Sequence, residues 1–299
     1  MGKDRSKDII SSIAYWPVKV VIRLLGVLPM TVLYFISRIV QILVFELAGY
    51  RRKVIDRNLE IVFPDKNLSQ RNSIKKEFKN HFFEMVAESL KTQSISAEEL
   101  KDKFEIRLND EMMESIQNGS DIIIAGAHIN NWEWAVSAAG DQLPMRSVGI
   151  YKPLSNIIMD RLFKKMREKF GTIMVPMGDV IRDMYKKDRP PTAYLFLSDQ
   201  STPYRQKSHM ISFFDVETPF VPGMGALAHR LNLPVFYFYI QKIHRGHYIA
   251  TFETLIKEPT SISPSNITKL YVEKLEKNIL NEAPNWLWTH KRWKRVLKY

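Results

Sequence analysis

The sequence predicts an α/β fold: a mixed sheet flanked by helices, with an apolar helical segment in front of it. Three observations carry that expectation. From about residue 106 onward, short apolar runs alternate with amphipathic stretches of helical period. The 299 residues, 45% of them hydrophobic, suffice for a large core. Residues 9–47 are dominated by Ile, Val, Leu, Phe, Tyr and Trp, and the composition turns sharply polar at Gly49.

The apolar segment is broken by Lys19, Arg23 and Arg38, and its uncharged run from Leu24 to Ser37 spans 14 residues. That is short of the ~20 residues a spanning helix needs, although Arg23 and Arg38 can snorkel from its ends. A secretory signal fits poorly, because the stretch is long, interrupted and not followed by a clean small-residue cleavage site. Two readings stay open: a pair of core helices, or an amphipathic, shallowly inserted membrane anchor. Tyr15, Trp16 and Tyr34 suit an interface, and basic residues at Met1 to Lys7 and Tyr50 to Lys53 favour a hairpin or helix on the cytoplasmic leaflet. Gly49 sets the boundary between an anchoring segment, 1–49, and a catalytic domain, 50–299.

Beyond the boundary, residues 50–62 read as a basic helix ending in a Phe63-Pro64-Asp65 turn. A second helix follows with Ser69 as N-cap and apolar residues at Ile74, Phe78, Phe82, Met85, Val86 and Leu90. Strands are expected in DIIIAGAH, RSVGIY, TIMVPM, TAYLFLSD, LPVFYFYIQ and YIATFETL. Helices are expected from Asn131 to Gly140, Asn156 to Lys169, up to Lys187, and Asn266 to Asn281. No internal repeat or low-complexity segment occurs.

Composition excludes some chemistry and points to a partner class. There is no cysteine, so disulfides, thiolate zinc sites and a cysteine nucleophile are excluded. Lys and Arg number 44 against 32 Asp and Glu, a net +12, which suits nucleic acid, an anionic membrane or a phosphorylated substrate. There is no HExxH, and His81, His209, His229, His244, His247 and His290 show no ligand spacing. VPGMGAL lacks the Lys-Ser/Thr of a phosphate loop and reads as a helix start.

The stretch GAHINNWEWAV concentrates the candidate chemistry. His128 is expected in the turn between a buried strand and a helix, with Glu133 in the helix's first turn. On one continuous helix the two would lie about 140° apart and not meet. With His128 in the turn, the carboxylate can reach the imidazole and make a general base with its orienter. The same spacing also fits a structural role, in which Asn130 caps the helix and Glu133 completes a capping box.

The flanking residues add specificity. Gly126-x-His128-x-x-Asn131-Trp132-Glu133 resembles the bacterial lipid A biosynthesis acyltransferases, the lauroyl and myristoyl transferases of the lysophospholipid acyltransferase superfamily. Residues 51–65, the block 151–171 (with Lys152 where the family usually has arginine), Leu197 to Gln200, 213–236 and PNWLWTHKRWK at 284–294 are similar in the same order. The resemblance implies a glycerol-3-phosphate-acyltransferase-like fold and transfer of a fatty acyl chain from acyl-carrier protein or acyl-CoA to a hydroxyl of a lipid A precursor. Related acceptors are phosphatidylinositol mannosides, aminolipids and lysophospholipids. It implies His128 as general base with Glu133 as its acidic partner, a role in substrate binding or transition-state charge for Arg167 (Arg161 being the other candidate), a structural or acceptor-positioning role for Asp199, and substrate-binding roles for Lys152 and Asn131. No cofactor or metal is implied; the expected partners are acyl-carrier protein, the glycolipid acceptor and an anionic membrane surface, with no nucleic acid. The expected location is the inner membrane, catalytic domain facing the cytoplasm.

The alternative from another class is a non-catalytic membrane or polyanion binder. The cluster Lys291, Arg292, Lys294, Arg295 and Lys298 with Trp288 and Trp293 is open to stacking on nucleic acid, a headgroup interface or carrier-protein docking. Phe213, Phe214 and the 221–227 stretch read either as the lining of an acyl channel or as core.

Overall fold

The computed structural model describes residues 16–201 and 207–299. The basic residues among 1–7 and Tyr15 therefore lie outside the described residues. Helix α1, described over 16–27, leads into α2 (Met30–Gln41), which continues as a π-helical turn over Ile42–Leu47. The stretch Met30–Leu47 is long and apolar enough to cross a membrane by length and composition, and only 22% of it is buried. Leu33, Ser37, Gln41 and Phe45, spaced by four, form its inner stripe. Phe45 there meets the rings of Phe78, Phe82 and Phe83. Phe35, Ile39, Leu43 and Leu47 point outward and are exposed. The segment thus packs as core along one face and leaves an apolar face exposed.

Helix α3 (Arg52–Val62) and the long α4 (Leu68–Lys91) follow. The α4 cap is Asn67, two residues before the expected Ser69. The Asn67 side chain accepts from Gln70 N at 3.0 Å, and the Gln70 side chain accepts from Asn67 N at 2.9 Å. This reciprocal box satisfies two donors that Ser69 would have left open. Then come α5 (Ala97–Lys103), β1 (Phe104–Arg107), α6 (Asp110–Gln117), β2 (Ile122–Gly126), α7 (Trp132–Gln142), β3 (Arg146–Tyr151), α8 (Ile157–Arg167) and β4 (Ile173–Pro176). The remainder is α9 (Val180–Met184), β5 (Thr192–Leu197), β6 (His209–Phe213), β7 (Val216–Phe220), α10 (Gly223–Leu231), β8 (Val235–His244), β9 (His247–Ile256) and α11 (Pro264–Asn281).

Seven strands form one sheet in the order β1-β9-β8-β2-β5-β3-β4, parallel except for the β8–β9 hairpin, while β6 and β7 pair separately. The helix expected before Lys187 is reduced to the five residues of α9, and the β6–β7 hairpin had no periodic signal. Strand β2 is central and buried along its whole length, as its unbroken apolar run requires. Period-two alternation splits it between two cores. Ile123 and Ala125 face Tyr194, Val235 and Tyr237 with α11, while Ile122 and Ile124 face Trp134, Ala193, Leu195 and Phe236 with α7.

The C-terminal cluster departs from its expected role as a surface patch. Trp286, Trp288, Trp293 and Arg292 are all essentially inaccessible. Arg292 lies over Phe220, 4.1 Å from the ring centroid, and donates to the Pro219 carbonyl. Burial pushes its guanidinium down to about 10. Arg292, Trp288 and Trp293 therefore cannot reach a headgroup, a carrier protein or a nucleic acid. Phe213, Phe220 and Met224 are likewise core side chains rather than a channel wall.

Candidate active site

Strand β2 ends at Gly126, where a side chain has no room: a Cβ would lie 1.9 Å from the Phe238 ring. The Gly126 carbonyl accepts from the Tyr271 hydroxyl at 2.8 Å, which fixes the strand end from which the next residues turn. Register then brings two distant side chains together. Gly126 pairs with Leu197 across β2 and β5, so His128 and Asp199 each stand two residues beyond matched positions and emerge on the same face. His128 Nδ1 lies 2.7 Å from Asp199 Oδ1.

The other Asp199 oxygen accepts from Trp286 Nε1 at 2.9 Å. Burial raises the Asp199 carboxyl, but His128 and the Trp286 donor outweigh it and hold the group well below the usual carboxylate range. An ionised carboxylate accepts only, so the imidazole N–H that meets it is on Nδ1 and Nε2 is left to accept. Nε2 faces the side-chain amide of Gln200 at 3.3 Å, and the histidine side chain is 18% exposed.

The turn itself is held by the C-terminal segment. Leu287 N donates to the His128 carbonyl at 3.1 Å, and Asn130 N donates to the Asn285 carbonyl at 3.0 Å, making an antiparallel bridge between Ile129 and Trp286. Asn130 takes a left-handed φ of 55°, a conformation that Asn tolerates better than most residues. Trp132 sets its ring edge-on to the His128 imidazole, 5.2 Å between centroids.

The expected contact between Glu133 and His128 is not made in this geometry. Glu133 is engaged by Arg167, whose Nε and Nη2 donate to its two oxygens at 2.8 and 2.7 Å. Such a fork satisfies a carboxylate better than one imidazole can. Burial works to raise Glu133, but the charge and hydrogen bonds of Arg167, with a smaller contribution from His128, leave it lowered. Glu133 thus lies within electrostatic reach of the imidazole without bonding to it. Arg167, rather than Arg161, is the arginine at the site; Arg161 is exposed on α8.

Two further assignments change. Asn131, expected on the substrate, is fully buried. Its Oδ1 caps α7 by accepting from Trp134 N at 2.9 Å, and its Nδ2 donates to Glu88 at 2.7 Å. It takes the capping position that sequence reading gave to Asn130. Asp199 is 2% exposed with both oxygens engaged, so it meets the imidazole rather than an acceptor. Lys152 is exposed just beyond β3, at the same C-terminal end of the parallel strands as His128. Among the described residues no group of His, Asp or Glu could hold a metal ion.

Sequence reasoning missed Trp286 and His290 as site neighbours. His290 Nε2 accepts from Ser201 N at 2.9 Å, and burial pushes the imidazole down to about 4. The only available signal was their place in PNWLWTH, a block noted for its family resemblance without a role given to either residue.

Chemically, the constellation is an imidazole bonded to a buried carboxylate, beside a carboxylate–guanidinium pair. The bacterial lipid A biosynthesis acyltransferase family model matches residues 1–295 of the chain. Comparison with curated proteins gave no match.

Proposed function

Since the chain belongs to the bacterial lipid A biosynthesis acyltransferase family, we propose that it moves a fatty acyl group from acyl-carrier protein to a hydroxyl of a lipid A precursor, with His128 as the general base. The observation that carries this reading is the 2.7 Å bond from His128 to buried Asp199, which leaves Nε2 as an acceptor. The acceptor hydroxyl displaces the Gln200 amide from Nε2 and gives up its proton there as its oxygen attacks the thioester carbonyl carbon. The tetrahedral intermediate collapses, the carbon–sulfur bond breaks, and the imidazolium returns the proton to the departing thiolate. The products are an ester and a free thiol. Positioned proton transfer of this kind contributes roughly 10²- to 10⁴-fold. Arg167, fixed by Glu133, supplies positive charge beside the developing oxyanion, and the ionised pair also stabilises the imidazolium. The reaction needs no cofactor beyond the thioester donor.

The net charge of +12 suits an anionic donor, and acyl-carrier protein and acyl-CoA both meet that requirement. The exposed apolar face of Met30–Leu47 supports residence on a membrane, which we assign as the cytoplasmic face of the inner membrane. The test is acyl transfer by purified protein, wild type against His128→Ala, with acyl-carrier-protein and acyl-CoA donors and a panel of lipid acceptors. We expect transfer to a lipid A precursor that the variant loses. Transfer to another lipid would replace the acceptor and keep the chemistry. No transfer by folded protein, with lipid binding intact, would favour a non-catalytic binder.

A further inference from the structure

A second buried carboxylate lies behind the site and takes no part in the chemistry above. Glu88, near the end of α4, is fully buried. Among the described residues it has no ion-pair partner; the nearby Lys242 is engaged by Glu84 at 2.8 Å. Its three side-chain partners are neutral. Oε1 accepts from the Tyr34 hydroxyl at 2.8 Å, and Oε2 accepts from the Tyr248 hydroxyl at 2.8 Å and from Asn131 Nδ2 at 2.7 Å. These donors come from three elements: α2, β9 and the start of α7. The Glu88 carbonyl also accepts from Trp134 Nε1, on α7, at 3.0 Å.

A buried carboxylate without a counter-ion is costly, and an apolar side chain of equal volume would hold α4 on the sheet more cheaply. Burial accordingly pushes the Glu88 carboxyl up to about 7, against the pull of its donors. Its contribution is direction. Asn131 has one amide orientation that satisfies both Glu88 and the α7 cap, and the residues on either side of it follow. Trp132 meets the His128 ring, and Glu133 takes the Arg167 fork. At the far end, Tyr34 carries the Arg245 guanidinium 4.4 Å from its ring centroid. Gly246 is bare beneath it, since a Cβ there would sit 2.8 Å from the Tyr34 hydroxyl oxygen.

We propose that Glu88 is a positioning residue that couples the seating of the apolar helix α2 to the geometry of the His128 turn. With Tyr34 docked on Oε1, Oε2 holds Asn131 and hence the α7 cap. With α2 displaced, the carboxylate loses a donor and the grip on Asn131 loosens. The effect on turnover rests on the acyl-transfer reading; the mechanical coupling does not.

The test uses the full chain in detergent or vesicles and begins with Tyr34→Phe, which removes one hydroxyl and keeps the ring. The expected result is a five- to tenfold fall in kcat with both KM values within twofold of wild type. Glu88→Leu should fall further, and the double variant should fall no lower than Glu88→Leu alone, because the path runs through Glu88. Wild-type kcat in Tyr34→Phe, or losses that multiply in the double variant, would overturn the proposal. A second readout needs no turnover and no Glu88 variant. In protein labelled at its histidine rings, the His128 resonance, identified by its loss in His128→Gln, should move in Tyr34→Phe. A stationary signal overturns the coupling; a moving signal without transfer in the wild type refutes the acyl-transfer reading and leaves the coupling standing.

Discussion

The N-terminal helices and the C-terminal segment 284–299 are built from the same materials, aromatic and branched apolar residues set among lysines and arginines. In the first, Trp16, Leu24, Phe35 and Leu47 are exposed; in the second, Trp286, Trp288 and Trp293 are inaccessible, and so is Arg292. The difference lies in where the backbone hydrogen bonds go. A helix satisfies its own peptide groups, so α2 needs only apolar neighbours for its outer face, and a bilayer supplies them as well as a core does. The irregular C-terminal chain carries open N–H and C=O groups and settles where partners exist. It finds them at Asn130, at His128 and, through the Trp286 indole, at Asp199. Composition sets how much apolar contact a segment requires, and backbone pairing sets where it is obtained.

Truncation after Ala283 breaks the comparison most completely. Each buried Trp is worth about 3–5 kcal/mol on truncation to Ala, and three together rival the whole stability of a domain, about 5–15 kcal/mol. The shortened protein is expected to show no cooperative melting by circular dichroism; a normal transition would mean that the segment is an ornament on a self-sufficient core.

Asp199→Asn tests the same segment through its chemistry. The variant keeps the shape and the Trp286 neighbour but no longer fixes the imidazole tautomer, so kcat should fall on the order of 10³-fold. Near-normal turnover would remove Asp199 from the mechanism.

Glu88 sharpens the comparison, because it is where the outward-facing α2 reaches the interior. Its carboxyl, about 7 in the fold against an ordinary 4.5, binds its proton more tightly when folded. Its contribution is therefore intact below about 4.5 and lost as pH rises toward 7, on the order of 3 kcal/mol in all. Asp199 and Asp183 run the other way, losing stability as pH falls below the usual carboxylate range. The wild-type minus Glu88→Gln difference in chemical-denaturation stability isolates the Glu88 window despite nearby Glu84, Lys242, Tyr34 and Tyr248. A flat difference between pH 4.5 and 7 would contradict the raised value.

The smallest effect on folding belongs to the exposed face. Phe35→Ser with Leu47→Ser should change stability by no more than ~0.5 kcal/mol per site, yet weaken binding to anionic vesicles in a flotation assay. Unchanged flotation would mean that other surface holds the protein on the membrane.

Local pattern made several pieces legible. The Ile122–Ile124 run announced a buried strand, and the Asn156 to Lys169 stretch gave α8 almost to its ends, while His128 was singled out from its place after that strand and Arg167 from the family resemblance alone. The partner of His128 was not legible, because it depends on β2 lying beside β5, a neighbour relation between strands some seventy residues apart in sequence. Five-residue spacing made Glu133 the nearest carboxylate along the chain, whereas sheet register made Asp199 the nearest in space. The β6–β7 hairpin carried Pro219 and a mixed pattern that announces no strand. The C-terminal tryptophans were visible as a motif but not as core, since nothing local says that Arg292 is buried.

The bridge between Ile129 and Trp286 also imposes an order in time. A ribosome adds about 5–20 residues per second, so the residues of α2 leave it some seconds to a minute before residues 285–287 do. Helix α2 can form while the turn bearing His128 still lacks the segment that closes it. The turn bearing His128 is therefore among the last parts of the fold to be closed.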